Sequence, residues 1–358
     1  MISELIIPQE KLETGFVHWQ SPSNIAIIKY WGKHGQQLPQ NPSLSFTLQN
    51  ALTETKLSYA PKEGPSTGIE LDFWFEEQRN EAFGAKVAAY LTELIPTYPF
   101  LEQLSLKIET VNSFPHSAGI ASSASSMSAL ALCLCSLEDH FFGTLGDDTA
   151  FDRKASHLAR LGSGSASRSI YAGASVWGKT DFVENSSDLY AVSVAERLHP
   201  IFTTLHDDIL IVSAKEKAVS SRAGHALMNE NPYAPTRYAQ ANQRLGTLLK
   251  ALEAGDLEKF GEITENEALT LHGLMMTSHP SYLLMEPQTI SIIRAIRQYR
   301  AETKIPVFFT LDAGPNVHML YPEEHIADVR GFVHNELAGL LDEGIYIPDF
   351  VGEGPEEV

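Results

Sequence analysis

The chain has 358 residues, 43% hydrophobic and 20% charged, the proportions of a soluble globular protein long enough for two domains. A formal net charge of −19 argues against general binding to nucleic acid or anionic membranes, and makes any cluster of Lys and Arg conspicuous. No apolar run could span a bilayer and no Lys/Arg-led apolar leader opens the sequence; Cys133 and Cys135, two apart on one expected helix, should not pair, which suits a reducing, cytoplasmic setting.

In chain order, residues 16–20 and 24–30 read as strands separated by the turn Ser21-Pro22-Ser23. The second runs into Lys29-Tyr30-Trp31-Gly32-Lys33, and a polar loop with Pro39, Asn41 and Pro42 follows. Further strands are expected at 44–48, 53–59 and 69–75, and residues 81–94 place Phe83, Val87, Tyr90 and Leu91 at helical spacing. Leu104, Leu106 and Ile108 then alternate with Ser105, Lys107 and Glu109, the pattern of a half-buried strand.

Pro115 and Gly119 break that pattern, and five serines crowd between Ser117 and Ser126. Met127, Leu130, Ala131 and Leu134 recur at helical spacing with apolar neighbours, predicting a helix buried nearly all round. A strand, a small-residue loop and a helix start would present free N–H groups and a positive dipole to an anion. Two serines would satisfy a cap; five beside a glycine favour a phosphate cradle. No Lys-Ser/Thr pair closes the loop, so it is not the common P-loop.

A helix at 152–161 leads to Gly162-Ser-Gly-Ser-Ala-Ser-Arg168, and residues 170–177 resemble a strand. Gly173-Ala-Ser-Val-Trp-Gly-Lys-Thr180 fits G-x-x-x-x-G-K-T, but its centre is bulky and no apolar-periodic helix follows, so it is a chance match. After a polar loop at 184–188 the composition changes, and we place a domain boundary within 190–205, dividing 1–197 from 198–358. A strand at 209–213 and helices at about 235–253, 256–275 and 287–301 follow. Strands at 307–311 and 317–321 flank Asp312-Ala-Gly-Pro-Asn316, and a helix closes the pattern near 326–337.

Several residues could carry chemistry. Lys29 and Lys33 are either solvated lysines at a strand end or amines held to a fixed surface by the packing of Trp31 and Gly32. Arg168, ending a run of small residues and hydroxyls, is suited to gripping a carboxylate or phosphate with two parallel hydrogen bonds. Val219-Ser-Ser-Arg-Ala-Gly224 is a third hydroxyl-and-arginine segment, equally readable as a solvated turn. Asp312 follows a strand among turn formers, so an ordinary turn and a functional carboxylate both remain open for it.

Four motifs, taken together, resemble one family. They are Asn24-Ile-Ala-Ile-Ile-Lys-Tyr-Trp-Gly-Lys33, Phe114-Pro-His-Ser-Ala-Gly-Ile-Ala-Ser-Ser-Ala-Ser125, Gly162-Ser-Gly-Ser-Ala-Ser-Arg168 and Asp312-Ala-Gly-Pro-Asn316. In this order they resemble the diphosphomevalonate decarboxylases of the GHMP kinase superfamily, over nearly the whole length. The resemblance implies an α+β, two-domain fold. Its first domain would be like the second domain of ribosomal protein S5, its second ferredoxin-like, with the active site in the cleft between them and a homodimeric assembly.

It also implies ATP-dependent decarboxylation of mevalonate 5-diphosphate to isopentenyl diphosphate. Asp312 would sit at the 3-hydroxyl as base or orienting carboxylate, Lys29 would neutralise charge there, and Arg168 would hold the substrate carboxylate. Tyr30, Lys33, Ser163, Ser165, Ser221 and Arg222 would hold the rest of the substrate, chiefly its diphosphate. His116, Ser117, Gly119, Ala121, Ser122, Ser123 and Ser125 would cradle the ATP phosphates and their Mg2+, with Ser122 or Ser123 the candidate protein ligand of the metal. Two departures stand out. Asn41-Pro42-Ser43 replaces the family's frequent Asn-Ser-Ser, and a substrate-contacting arginine of the family falls near Arg79 without a firm match. A decarboxylase of mevalonate 5-phosphate or a 3-kinase is the nearest rival. A silent small-molecule-binding relative is the rival of another class, and would be expected to lack Asp312 or the serine loop.

Overall fold

The computed structural model describes residues 5–64, 67–114, 122–215 and 219–358. The first half begins with β1 (Gly15–Ile28), a ribbon of β2 (Lys33–His34) and β3 (Leu38–Pro39), and the long β4 (Ser43–Pro61). β5 (Glu70–Phe75) and β6 (Gln78–Arg79) precede α1 (Glu81–Leu94), whose first turn is capped by the Asn80 side chain accepting from Phe83 N. β7 (Leu104–Asn112) buries every second residue from Leu104 to Thr110, as its alternation requires. α2 (Ser122–Phe142) carries Ala, Ser, Cys and Leu on nearly every side and is buried accordingly; Cys133 and Cys135 within it are free and buried. α3 (Asp148–Gly162) starts earlier than the sequence suggests, because Asp147 caps Thr149 N. A 3-10 turn at Gly164–Arg168 then leads to β8 (Ala174–Trp177) and β9 (Ala191–Ser193).

In the second half, α4 (Pro200–Thr203) and β10 (His206–Leu210) are followed by α5 (Ser221–Leu227), α6 (Ala234–Ala254), α7 (Leu257–Met276) and α8 (Pro287–Thr303). Gly255, at φ +73°, ends α6 in the left-handed region, and Asp256 caps Lys259 N, so α6 and α7 are joined by two residues. β11 (Phe308–Thr310), β12 (Val317–Tyr321), α9 (Ile326–Phe332), β13 (Tyr346–Ile347) and β14 (Glu356–Glu357) complete the chain.

The larger sheet runs β14-β1-β4-β7-β5-β6, with β8 and β9 added beside the first part of β4; all its pairs are antiparallel except β5 with β7. The smaller sheet runs β11-β12-β10-β13, wholly antiparallel. One core lies between the larger sheet and α1, α2 and α3. A second joins Ile25, Ile27, Leu44 and Phe46 of that sheet to Leu245, Leu248 and Phe260 of α6 and α7 and to Ile209 of β10, so it spans both halves.

Several expectations need correction. Ser21-Pro22-Ser23 is no turn: β1 runs through it, with a register shift between Pro22 and Asn24. A proline is tolerated there because a bulge removes one ladder bond. Strands 44–48 and 53–59 are likewise one strand. Its bulged N–H groups at Gln49, Asn50 and Ala51 all donate to the Asp349 carboxylate at 2.8 Å, a partner from the far end of the chain. The strand expected at 170–177 begins only at Ala174, and that expected at 209–213 lies three residues earlier. The rejected G-x-x-x-x-G-K-T match falls on β8, a buried strand paired on both sides.

Candidate active site

Lys29 is the residue after β1 and is 1% exposed, far from a solvated strand-end lysine. Its Nζ lies 2.9 Å from Asp312 Oδ1, across 283 residues of sequence. Asp312 sits on the β11–β12 connection. Asn316 Oδ1 accepts from Val212 N and Ser213 N, and Pro315 O accepts from the Thr289 hydroxyl, so the loop is fixed at its base.

Arg168 is 2% exposed and lies over the Trp177 ring. Its guanidinium donates to Ser45 Oγ at 2.5 Å, Ser43 Oγ at 2.7 Å and Asn24 Oδ1 at 3.4 Å, which fixes its plane on the larger sheet. Burial brings it down to about 10, with the Asp312 carboxylate acting the other way. Lys29, Asp312 and Arg168 are thus brought together from two halves of the chain.

A second group of cations lies alongside. Lys33 donates to Gln37 Oε1, and burial, then the positive charge of Arg222, lower its pKa. His225 is buried among Tyr30 and Trp31, with ring centroids at 4.4 and 4.5 Å. Its Nδ1 accepts from Gly32 N at 3.0 Å, while burial, then Lys33 and Arg168, push it down to about 3, so it stays neutral. The Tyr30 hydroxyl is buried without a hydrogen-bond partner among the described residues, and burial raises its pKa, so it remains a phenol. In a chain of net charge −19, these neighbouring cations form a site suited to an anion. Ser221 and Arg222 lie exposed in the first turn of α5, a helix rather than a solvated turn; its Ser220 cap accepts from Ala223 N.

The hydroxyls of Ser163 and Ser165 lie 3.4 Å apart, and Ser163 approaches Ser123 at 3.3 Å, so the run before Arg168 meets the start of α2. At that helix start Ser122 is half-buried and Ser123 exposed. Ser125 is fully buried and its hydroxyl pairs with Thr53 Oγ1 at 2.6 Å, because the helical turn carries it to the sheet side. His116, Ser117, Gly119 and Ala121 lie outside the described residues. Among the described residues no group of His, Cys, Asp or Glu could hold a metal ion, and no helix is long and apolar enough to cross a membrane.

The two departures have structural counterparts. Pro42 packs on Gly178, where φ is +111° and an added Cβ would stand 2.6 Å from Pro42 Cα. Asn41 Nδ2 donates to Lys29 O and Pro42 O, and Ser43 accepts from Arg168, so the loop is pinned to the site. Arg79 is 63% exposed, paired with Asp72 at 2.9 Å on the outermost strand, four strands from β1.

Sequence reasoning missed a buried polar network under the site. Glu267 is fully buried and bound by Arg237 and Arg244. Burial would raise its pKa, but the Arg237 guanidinium and the bonds it receives hold it below the ordinary value. Glu267 Oε2 also accepts from Lys29 N at 2.9 Å, and Arg237 donates to Lys29 O. His272, 1% exposed, has its Nε2 3.0 Å from Asp312 O. A signal existed: Arg237 stands four and eight residues before Ala241 and Leu245, on the face that α6 buries.

The two sheets, the core shared between the halves and the match to solved mevalonate diphosphate decarboxylase structures make this an α+β, two-domain protein of GHMP-kinase fold. Residues 21–190 match the model of the diphosphomevalonate decarboxylase-like N-terminal domain, and 208–343 that of the mevalonate 5-diphosphate decarboxylase C-terminal domain. The chain belongs to the diphosphomevalonate decarboxylase family. It is 30% identical to the diphosphomevalonate decarboxylase of Ganoderma lucidum, over 86% of this chain and 79% of that one. A crystal structure of mevalonate diphosphate decarboxylase from Staphylococcus aureus superposes with a TM-score of 0.82 at 27% identity, covering 96% of this chain and 98% of that one. A structure of MDDEF in complex with MVAPP, AMPPCP and magnesium gives 0.80 at 28%, covering 96% and 99%.

Proposed function

We propose that the protein catalyses the ATP-dependent decarboxylation of mevalonate 5-diphosphate to isopentenyl diphosphate, with ADP, phosphate and CO2 released. The observation that carries this is the Lys29–Asp312 pair closed across the two halves, beside the buried Arg168. The chemistry asks for three things there. The tertiary 3-hydroxyl must lose a proton as its oxygen attacks the γ-phosphorus of ATP, and Asp312 is the carboxylate to orient or accept that proton. Lys29 offsets the charge that develops on the oxygen. The C3–O bond to the new phosphate then breaks, the C1–C2 electron pair becomes the C2=C3 double bond, and CO2 departs.

Arg168 uses three of its five N–H groups on Ser43, Ser45 and Asn24, which leaves two for the substrate carboxylate. Tyr30, Lys33, Ser163, Ser165, Ser221 and Arg222 hold the remainder of the substrate, with the Lys33–Arg222 pair at the diphosphate. The hydroxyls of Ser122 and Ser123 fit an ATP phosphate cradle, and Mg2+ would enter on the ATP phosphates with one of these hydroxyls as protein ligand; the metal screens phosphate charge when bound. MDDEF binds MVAPP with AMPPCP and magnesium, which supports the same pairing of substrates here. We take 1–197 as the ATP-binding domain and 198–358 as its partner, and a cytoplasmic homodimer as the working form. The deciding experiment is release of CO2 and phosphate from mevalonate, its 5-phosphate and its 5-diphosphate, each with ATP. Turnover of the 5-diphosphate is expected; turnover of the 5-phosphate alone would replace the substrate.

A further inference from the structure

We infer that α7 sets the geometry of the Lys29–Asp312 pair, with Glu267 and His272 as positioning residues. The inference rests on the functional reading above only for the use made of that pair. Each positioning residue takes the backbone of one partner: Glu267 Oε2 accepts from Lys29 N at 2.9 Å, and His272 Nε2 meets Asp312 O at 3.0 Å. A carbonyl only accepts, so the His272 ring carries its proton on Nε2. The two anchors are five residues apart on one helix, roughly 7.5 Å along its axis. The span between a residue closing β1 and a residue on the β11–β12 loop is therefore copied from a rigid helix.

α7 is well placed for that task. Asp256 caps its start, and its Gly261 lies so close to Phe308 that an added Cβ would stand 2.0 Å from the ring. Glu265 ties it to Arg297 and Arg300 of α8. The helix is thus locked to the smaller sheet, while Glu267, held by Arg237 and Arg244, reaches across to the larger one. Displacement of reacting groups by about 1 Å can cost about a hundredfold in rate.

The test compares His272→Leu and His272→Phe, which remove the donor, with His272→Gln, which keeps an N–H near the same place. The donor-free variants should lose about tenfold to a hundredfold in kcat, with KM for ATP and mevalonate 5-diphosphate within about twofold and melting still cooperative. His272→Gln should recover most of the loss. A second readout needs no activity: acylation of Lys29 by acetic anhydride at fixed pH, followed by peptide mass spectrometry. The buried, paired amine should label slowly in the wild-type protein and several times faster in the Leu and Phe variants. Turnover within twofold of wild type, unchanged labelling, or a joint loss of kcat, KM and stability that Gln does not rescue would overturn the inference. Failure of the wild-type protein to decarboxylate the 5-diphosphate would instead remove the functional reading, and the labelling would still decide the role of α7.

Discussion

Asp312 and Lys29 meet at 2.9 Å although 283 residues separate them, so the chemistry depends on single side chains held by distant parts of the chain. Asp312→Asn keeps the size and most hydrogen bonds of the side chain but removes the charge proposed to accept or orient the hydroxyl proton. General-base help is worth about 10²–10⁴-fold, so turnover should fall by at least that range's lower end with substrate binding little changed. Steady-state kinetics showing more than about a tenth of wild-type turnover would exclude the role. Arg168→Gln should impair binding and turnover together, since a carboxylate grip acts before and during reaction. Arg222 lies beside Lys33, whose pKa it helps to lower. A charged hydrogen bond contributes about 1.5–3 kcal/mol, so Arg222→Ala should weaken the 5-diphosphate by roughly tenfold or more and the 5-phosphate less. Equal losses for both, in parallel KM measurements, would assign the arginine to another part of the substrate. Lys29, Arg168 and Asp312 were legible because their motifs are compact in sequence. Glu267 and His272 were not, since what each takes from Lys29 or Asp312 is a backbone atom, which leaves no residue type to read.

At the scale of elements, periodicity named α1, α2, α6, α7 and α8 within a few residues, because each hides an apolar stripe. It split β1 and β4, since Pro22 and the polar Gln49-Asn50 read as breaks while a bulge and the remote Asp349 carry both strands through. α5 was equally hidden: seven residues show little period, and what fixes them is tertiary, the packing of the His225 ring against Tyr30 and Trp31. That packing has a pH consequence. Folded His225 titrates at about 3 against 6.5 for the free side chain, through burial first and then Lys33 and Arg168. Between these values the unfolded chain binds a proton that the folded protein refuses, so stability falls as pH drops from about 6.5 towards 3. His225→Asn offers an acceptor for Gly32 N without that titration. Urea unfolding at a series of pH values should show an acid limb shallower by about one proton in the variant than in the wild-type protein. Parallel limbs would mean that His225 is charged in the fold.

For the whole molecule, the decisive feature is that, beside a core of its own, each half shares a further core and a set of hydrogen bonds with the other. Ile25 and Phe46 of the larger sheet share a core with Leu248 and Phe260 of the helices that follow 197. The last segment of the chain sews the halves together: Tyr346–Ile347 pairs with β10, and Asp349 satisfies the β4 bulge. Gly352 then bonds to Thr47, and Glu356–Glu357 adds a strand to β1. The cleft that brings Asp312 to Lys29 is therefore a product of the complete fold, and the halves should unfold as one unit. All four tryptophans lie at or before Trp177, so intrinsic fluorescence reports on the first half, whereas Asp349 belongs to the second. Asp349→Ala takes the carboxylate from the N–H groups of Gln49, Asn50 and Ala51; Gln49 keeps Phe350 O and Asn50 is exposed, so Ala51 is the buried donor left without an acceptor. A buried donor left unsatisfied costs about 1–3 kcal/mol, and the loss should fall in that range. The fluorescence midpoint in urea should drop accordingly and stay coincident with far-ultraviolet circular dichroism, as a single transition requires. A fluorescence midpoint that does not move, with dichroism splitting into two steps, would show that the halves fold independently and that the cleft is assembled only by docking.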